Sequence, residues 1–200
     1  MLTQFYDDLE TRTENERKKA ISKVLPVQIK NLQSLGGLKG IDSDMIDSVE
    51  ALKQLPVLRK SELREMQQKK PPFGGLVRGT IEHIFQSPGP IYEPGKDTHD
   101  WWRFGRFLHA CGGGRSDIVQ NCFSYHLTPA GMMFENGAKA VGATILPAGT
   151  GQTELQVQAA FDVGASVYAG TPDYLNTILE KSSEMGLKLS YSKAVVSGGA

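Results

Sequence analysis

Two short stretches hold residues whose types and spacing suit ligand chemistry. NCFSYHLTPAG, from Asn121 to Gly131, follows the apolar pair Ile118-Val119, passes through an aromatic and polar loop, and reaches Thr128-Pro129. Threonine is a favoured helix N-cap, and proline suits the first helical turn, where its missing N–H has no partner to lose. The stretch therefore reads as strand, loop and helix start, and ligands of open α/β sheets bind beyond the carboxyl ends of strands at such junctions. An ordinary strand-to-helix connection is the alternative. Gly149-Thr150-Gly151-Gln152-Thr153 could offer N–H groups to phosphate at a helix N-terminus. Glycines that simply serve a turn are the commoner use. His83, His99 and His109 have no metal-ligand spacing, and neither do Cys111 and Cys122.

The elements that must position these residues alternate. From residue 117 the expected order is strand 117–123, helix 129–141, strand 143–146, helix 153–161, strand 166–169, helix 172–185 ended by Gly186, and a strand opening at Lys193. A second Thr-Pro helix start stands at Thr171-Pro172. Such alternation implies a parallel sheet covered by helices.

Residues 1–75 read as a helical region. Thr13-Glu14-Asn15-Glu16 has the form of a capping box, apolar residues recur at helical spacing from Ile21 to Leu35, and Pro26 is expected to kink or divide that run. Asp47-Ser48-Val49-Glu50 should cap a short second helix and Ser61 a third through Lys70, before a turn at Pro71-Pro72-Phe73-Gly74-Gly75. A strand is expected over 80–86. SPGPIYEPG, residues 87–95, is too rich in proline for a central strand or a helix and reads as a loop, with Ile91-Tyr92 as its extended part. A helix from Asp97 or Thr98 to Gly112-Gly113-Gly114 carries Trp101, Trp102, Phe104, Phe107 and Leu108, expected in the core rather than around a ligand. The fold class expected is α/β: a helical N-terminal region, 1–75, followed by a mostly parallel β-α-β sheet, 76–200.

Composition narrows the partners. Lys+Arg 22 against Asp+Glu 22 gives no net charge, which argues against nucleic acid or an anionic membrane. Two cysteines in 200 residues are too few for a disulfide scaffold and fit a reducing cytoplasm. No apolar run approaches the roughly 20 residues that span a bilayer. The last strand breaks off before its next loop, so the chain is expected to be part of something longer.

A family resemblance spans the chain. Tyr6-Asp7-Asp8-Leu9-Glu10-Thr11-Arg12, Leu55-Pro56-Val57-Leu58-Arg59-Lys60, Pro72-Phe73-Gly74-Gly75, Asp100-Trp101-Trp102, Gly149-Thr150-Gly151-Gln152-Thr153-Glu154 and Gly170-Thr171-Pro172-Asp173-Tyr174 together resemble the phenylacetate CoA ligase family of adenylate-forming enzymes. The resemblance implies the front part of the family's large N-terminal α/β domain. It also implies activation of an aromatic or other small carboxylic acid by ATP, with Mg²⁺, to an acyl adenylate, and transfer of the acyl group to coenzyme A.

By resemblance the opening loop lines the acyl pocket. Phe123, Tyr125 and Leu127 would be apolar wall, and Ser124, His126, Thr128 and Gly131 would lie near the carboxylate or nucleotide. His126 stands where family members tend to have glycine; it is read as a general base or, as expected for chemistry that needs no base, as a loop histidine bonded to a carbonyl. Glu135 faces either cleft or solvent. Ser197, Gly198, Gly199 and Ala200 correspond to a segment packing on adenine. The family's phosphate loop has the form SSGTTGKP, and 87–94, SPGPIYEP, matches it only at Ser87, Gly89 and Pro94. Pro88 and Pro90 lack N–H donors, and Glu93 replaces a lysine with a group that repels phosphate. Either ATP is held differently, by Gly89 with residues outside the chain, or the protein is a non-catalytic relative that binds nucleotide or acyl-CoA. The 200 residues alone are expected to be inactive. Self-association through surfaces normally covered is a third reading.

Overall fold

The computed structural model describes residues 4–198. One compact unit comprises Asp7–Pro94, and the other comprises the described residues up to Tyr6 with those from Gly95 onward.

The first unit is built on α1, Glu14–Ser34, whose capping box forms as the sequence implies: Thr13 accepts from the Glu16 N–H while Glu16 accepts from Thr13. The helix runs through Pro26 undivided. A proline removes one rung of the ladder, and a helix of 21 residues keeps the rest. Ile29, Ile46 and Ala51 form this unit's buried cluster, with Leu38, Ile41 and Leu55 against it. Residues 51–54 form a short 3-10 turn, preceded by Glu50, with the Ser48 hydroxyl accepting from the Ala51 N–H. Helix α2, Lys60–Lys69, starts one residue before the expected Ser61 cap because Glu62 reaches back to the Arg59 N–H at 2.8 Å.

The expected loop at 87–95 is instead half of a two-stranded sheet, β1 (His83–Ser87) and β2 (Ile91–Gly95), joined by a turn at Pro88, Gly89 and Pro90. Proline is excluded from central strands, but a sheet of two strands has only edges, where a missing N–H is tolerated. Gln67 of α2 accepts from the Tyr92 N–H at 2.9 Å and donates to its carbonyl at 2.7 Å.

The second unit has the expected parallel sheet. Strands β3 (Ile118–Asn121), β4 (Thr144–Leu146), β5 (Val167–Gly170) and β6 (Lys193–Val196) lie in the order β4-β3-β5-β6. All pairs are parallel, with Val119 beside Val167 and Val167 beside Lys193. Helices α3 (Phe104–Ala110) and α4 (Ala130–Ala140) pack together, as do α5 (Thr153–Val163) and α6 (Pro172–Glu184). Every residue of β5 is buried, with Val167 and Ala169 in one cluster alongside Leu108 and Phe134, and Tyr168 in another alongside Val157 and Ile178. Covering both faces suits a parallel sheet. Burying a side chain such as Ile178 contributes roughly 1.5–3 kcal/mol, more than the roughly 0.7 kcal/mol that separates ordinary residues in helix propensity, so packing determines where these helices lie.

One helix is shorter than its pattern. Helix α3 starts at Phe104, and the expected start near Asp97 is lost because Asp100 and Arg103 adopt positive φ, 48° and 60°. Asp100 instead accepts from the Gly105 N–H at 2.7 Å and from the Tyr6 hydroxyl at 3.0 Å. Leu108 is buried and Phe104 meets Phe134 edge-on at 5.1 Å, whereas Trp101 stays 40% exposed in the turn.

Candidate functional site

The connections create a switch point. From β3 the chain crosses to β4 on one side, and from β5 it crosses to β6 on the other. The carboxyl ends of β3 and β5 therefore flank the position where such sheets take their ligands. The loop from Cys122 to Pro129 leaves from this point. Its first N–H, that of Cys122, still donates to the Ala169 carbonyl of β5 at 2.7 Å.

The loop is tightly built. The Gly131 N–H donates to the Ser124 carbonyl at 2.9 Å, the Ser124 hydroxyl accepts from the His126 N–H at 3.1 Å, and the Thr128 N–H returns to the His126 carbonyl at 2.7 Å. That last bond closes a γ-turn around Leu127, whose φ is 60° and whose side chain is 68% exposed. Phe123 stacks on Phe134 at 4.0 Å and belongs to the edge of the core. Thr128 is half-buried and does not cap α4; Pro129 occupies the cap position and no side chain supplies the cap bond. Gly131 is buried where a methyl group would come within 2.7 Å of the Ser124 carbonyl and 2.8 Å of the Tyr125 ring.

Tyr125 folds back over that glycine. Its hydroxyl accepts from the Asn121 amide at 2.8 Å. Burial, and then the negative charge of the Glu135 carboxylate, push its ionisation well above the usual phenol range. Glu135 thus faces Tyr125 on one side and Lys139 on the other, 2.7 Å away, and that carboxylate in turn holds Lys139 above its ordinary value. His126 is exposed, and among the described residues its imidazole bonds to no carbonyl and to no acid.

Sequence reasoning passed over two buried amides that hold the site. Asn121 joins three segments: its amide also donates to the Gly131 carbonyl at 2.8 Å, its side-chain oxygen accepts from the Phe123 N–H, and its backbone carbonyl accepts from the Gly149 N–H. Gln156 faces the carbonyls of Ala148, Gly149 and Gly151, and accepts from Gln120 and the Cys122 thiol. Burial pushes that thiol up to about 12, so it is no nucleophile. Tyr191 gives its hydroxyl proton to Gln120, completing the chain of side chains. The signal was present as two amides ending an otherwise apolar run, Ile118-Val119-Gln120-Asn121. Polar groups that end a buried strand must find partners.

These bonds also define the glycine turn. The Gly149 N–H is spent on Asn121, and the Gly151 carbonyl also accepts from the Tyr174 hydroxyl at 2.9 Å. The geometry is that of a turn anchored from below. Ser197 and Gly198 are exposed just after β6, with the Ser197 N–H on the Gly170 carbonyl of β5. Gly199 and Ala200 lie outside the described residues. Ser87 and Gly89 belong to the other unit, where Ser87 ends β1 with a buried hydroxyl and Gly89 sits in the hairpin turn at φ 151°. Among the described residues no three His, Cys, Asp or Glu side chains gather to hold a metal. A magnesium ion arriving with nucleotide takes most of its ligands from phosphate and water, and no residue here is assigned to it.

A groove of about 610 Å³ lies at the opposite end of the sheet. Its acidic group is already satisfied: Asp117 accepts from Lys193 at 2.9 Å, from Ser166 at 2.9 Å and from the Gly114 N–H at 2.9 Å. Burial works to raise Asp117, and these bonds overcome it and hold the carboxyl below the usual range.

No family model matches the chain. Among curated proteins it is 30% identical over 158 residues to the phenylacetate-coenzyme A ligase of Aromatoleum evansii, covering 74% of this chain and 35% of that protein. The enzyme of the same name from Thermus thermophilus is 29% identical over 169 residues, 78% of this chain and 37% of that one. Among solved structures, 2-hydroxyisobutyryl-CoA ligase in complex with 2-HIB-AMP superposes with a TM-score of 0.76 at 24% identity, over 87% of this chain and 40% of the other. Its open conformation with 2-HIB-AMP and CoA gives 0.77 at 24% identity, over 88% and 45%. The chain spans little more than a third of the length of the curated relatives it matches. Over about three quarters of its length the chain is similar in sequence to phenylacetate-coenzyme A ligases, and over nearly nine tenths it shares the fold of 2-hydroxyisobutyryl-CoA ligase.

Proposed function

We propose that this chain is the N-terminal portion of a cytoplasmic, AMP-forming acid–thiol ligase that activates an aromatic or other small carboxylic acid. In that reaction a carboxylate oxygen attacks the α-phosphorus of ATP, pyrophosphate leaves, and the thiol of coenzyme A then displaces AMP from the acyl adenylate. The observation that carries the reading is the switch point: the loop after β3 and the segment after β6 both reach the carboxyl end of β5, one at Ala169 and the other at Gly170. Phe123, Tyr125 and Leu127 would contact the acyl group, with Ser124, His126, Thr128 and Gly131 toward the carboxylate, and Ser197 to Ala200 against adenine. Mg²⁺, where it is used, would come with the nucleotide. Acid-dependent pyrophosphate release by the longer protein tests this reading. No turnover across a broad panel of acids would overturn it, and the 200 residues alone should show none.

One feature favours a second reading. The Ser87-to-Pro94 segment is a proline-bearing hairpin whose Tyr92 backbone is already bonded to Gln67, so it offers phosphate few free donors. A non-catalytic relative would bind AMP or CoA tightly by calorimetry and turn over nothing.

A further inference from the structure

We infer that the groove at the amino end of the parallel sheet is a binding site for a small phosphate monoester, gripped by Arg115 with Lys193 and Ser116. The inference stands apart from the acid-activating reading, which concerns the other end of the sheet. The groove, about 610 Å³, falls within the range of small-molecule sites, and its lining joins the glycine tract 112–114 and Arg115 to Lys193, Val141 and the rings of Tyr6 and His109.

The groove has spent its acceptors and kept its donors. Asp117 is 5% exposed, and its two oxygens receive the Gly114 N–H, the Ser166 hydroxyl and two bonds from Lys193. The carbonyls that end α3, those of Phe107, Leu108 and His109, already accept from Cys111, Gly113 and Gly112, and those that end α4, of Gly137, Ala138 and Lys139, accept from Val141, Ala143 and Gly142. Arg115, by contrast, makes no hydrogen bond or ion pair among the described residues. Its stem is seated against Gly142, where an added methyl group would come within 2.8 Å of Cγ, and its guanidinium is a planar fork of donors that suits phosphate. Lys193 has three hydrogens and makes two bonds. The exposed Ser116 hydroxyl has no partner among the described residues. Because Lys193 neutralises Asp117, the charge of Arg115 is left uncompensated within the lining. Such a groove takes an anion, and the Tyr6 and His109 rings, 5.8 Å apart, with Val141, supply an apolar side for the body that carries it.

Calorimetry and amide NMR on this 200-residue chain, with phenyl phosphate and inorganic phosphate as probes, test the site. Phenyl phosphate should bind with a Kd of about 1 mM or below, shifting the amides of 112–116 and leaving those of 123–131 unmoved. Inorganic phosphate should bind more weakly; equal binding would overturn the assignment of an organic ligand. Arg115→Gln should weaken phenyl phosphate about tenfold, as loss of a charge-assisted bond does, and Ser116→Glu, which places an acid beside the guanidinium, should abolish binding. Both positions are exposed, so the fold should persist in each variant. Lys188→Gln removes an exposed cation elsewhere and should bind as wild type does. No saturable binding, shifts confined to 123–131, or equal losses in Lys188→Gln and Arg115→Gln would overturn the proposal. Unchanged binding in Arg115→Gln would overturn it as well, and a lowered thermal midpoint in that variant would then mark Arg115 as a support for the end of α4.

Discussion

Gly131 shows how narrowly one residue is constrained. It is helical and needs no unusual φ, so its requirement is space: an added methyl group would meet the Ser124 carbonyl at 2.7 Å and the Tyr125 ring at 2.8–2.9 Å. Neither neighbour can withdraw easily, since the carbonyl accepts the Gly131 N–H and the Tyr125 hydroxyl is held by the Asn121 amide. Gly131→Ala should therefore cost about 1–3 kcal/mol, the usual penalty of overpacking, read as a fall in the denaturant midpoint. It should also displace Tyr125, which near-UV circular dichroism would report. A variant as stable as wild type would mean the loop is more yielding than its hydrogen bonds imply.

At the scale of elements, the two Thr-Pro pairs make the instructive comparison. Thr171-Pro172 opens α6 as the dipeptide implies, with the threonine hydroxyl accepting from the Tyr174 N–H. Thr128-Pro129 does not open α4 that way, because the γ-turn at Leu127 shifts the chain by one position and leaves the proline at the cap. Thr171→Ala should cost about 1 kcal/mol, as lost caps do, and Thr128→Ala well under half of that; equal losses in thermal unfolding would contradict the assignment. Periodicity and alternation made the four parallel strands and α4 to α6 legible in the sequence, because those segments depend on repeated local pattern. What stayed hidden depends on single long-range partners. Asp100 ends the helical pattern around the tryptophans by bonding Tyr6, and Gln67 makes a strand tenable in a proline-rich stretch. The candidate site was legible as a loop at a strand end. Its supports, Asn121 and Gln156, were not, since nothing local says which carbonyl a buried amide will find.

At the scale of the whole molecule, stability should depend on pH through the far end of the sheet. Asp117 joins the turn before β3 to Ser166, just ahead of β5, and to Lys193 at the start of β6. Its native ionisation lies below the unfolded value. The stabilisation it gives is therefore complete above the unfolded value, about 3.9, and is withdrawn as pH falls from there through the native value. Asp117→Asn should be less stable than wild type near neutrality, and the gap in unfolding free energy should shrink as pH drops below about 4. A gap independent of pH would mean the residue acts through packing alone.

Gln67 bears on how copies of the protein meet one another. Its amide occupies the N–H and the carbonyl of Tyr92 together, as the backbone of a further strand would. The side chain thus stands where an incoming chain would have to pair, and denies the hairpin its use as a template for foreign strands. Removing it should leave the fold of each copy largely intact while exposing two bare backbone groups on a rim shared by every copy in solution. Gln67→Ala is expected to scatter more light than wild type after mild heating, in proportion to concentration. Equal scattering would show that the hairpin rim is guarded by something other than this amide.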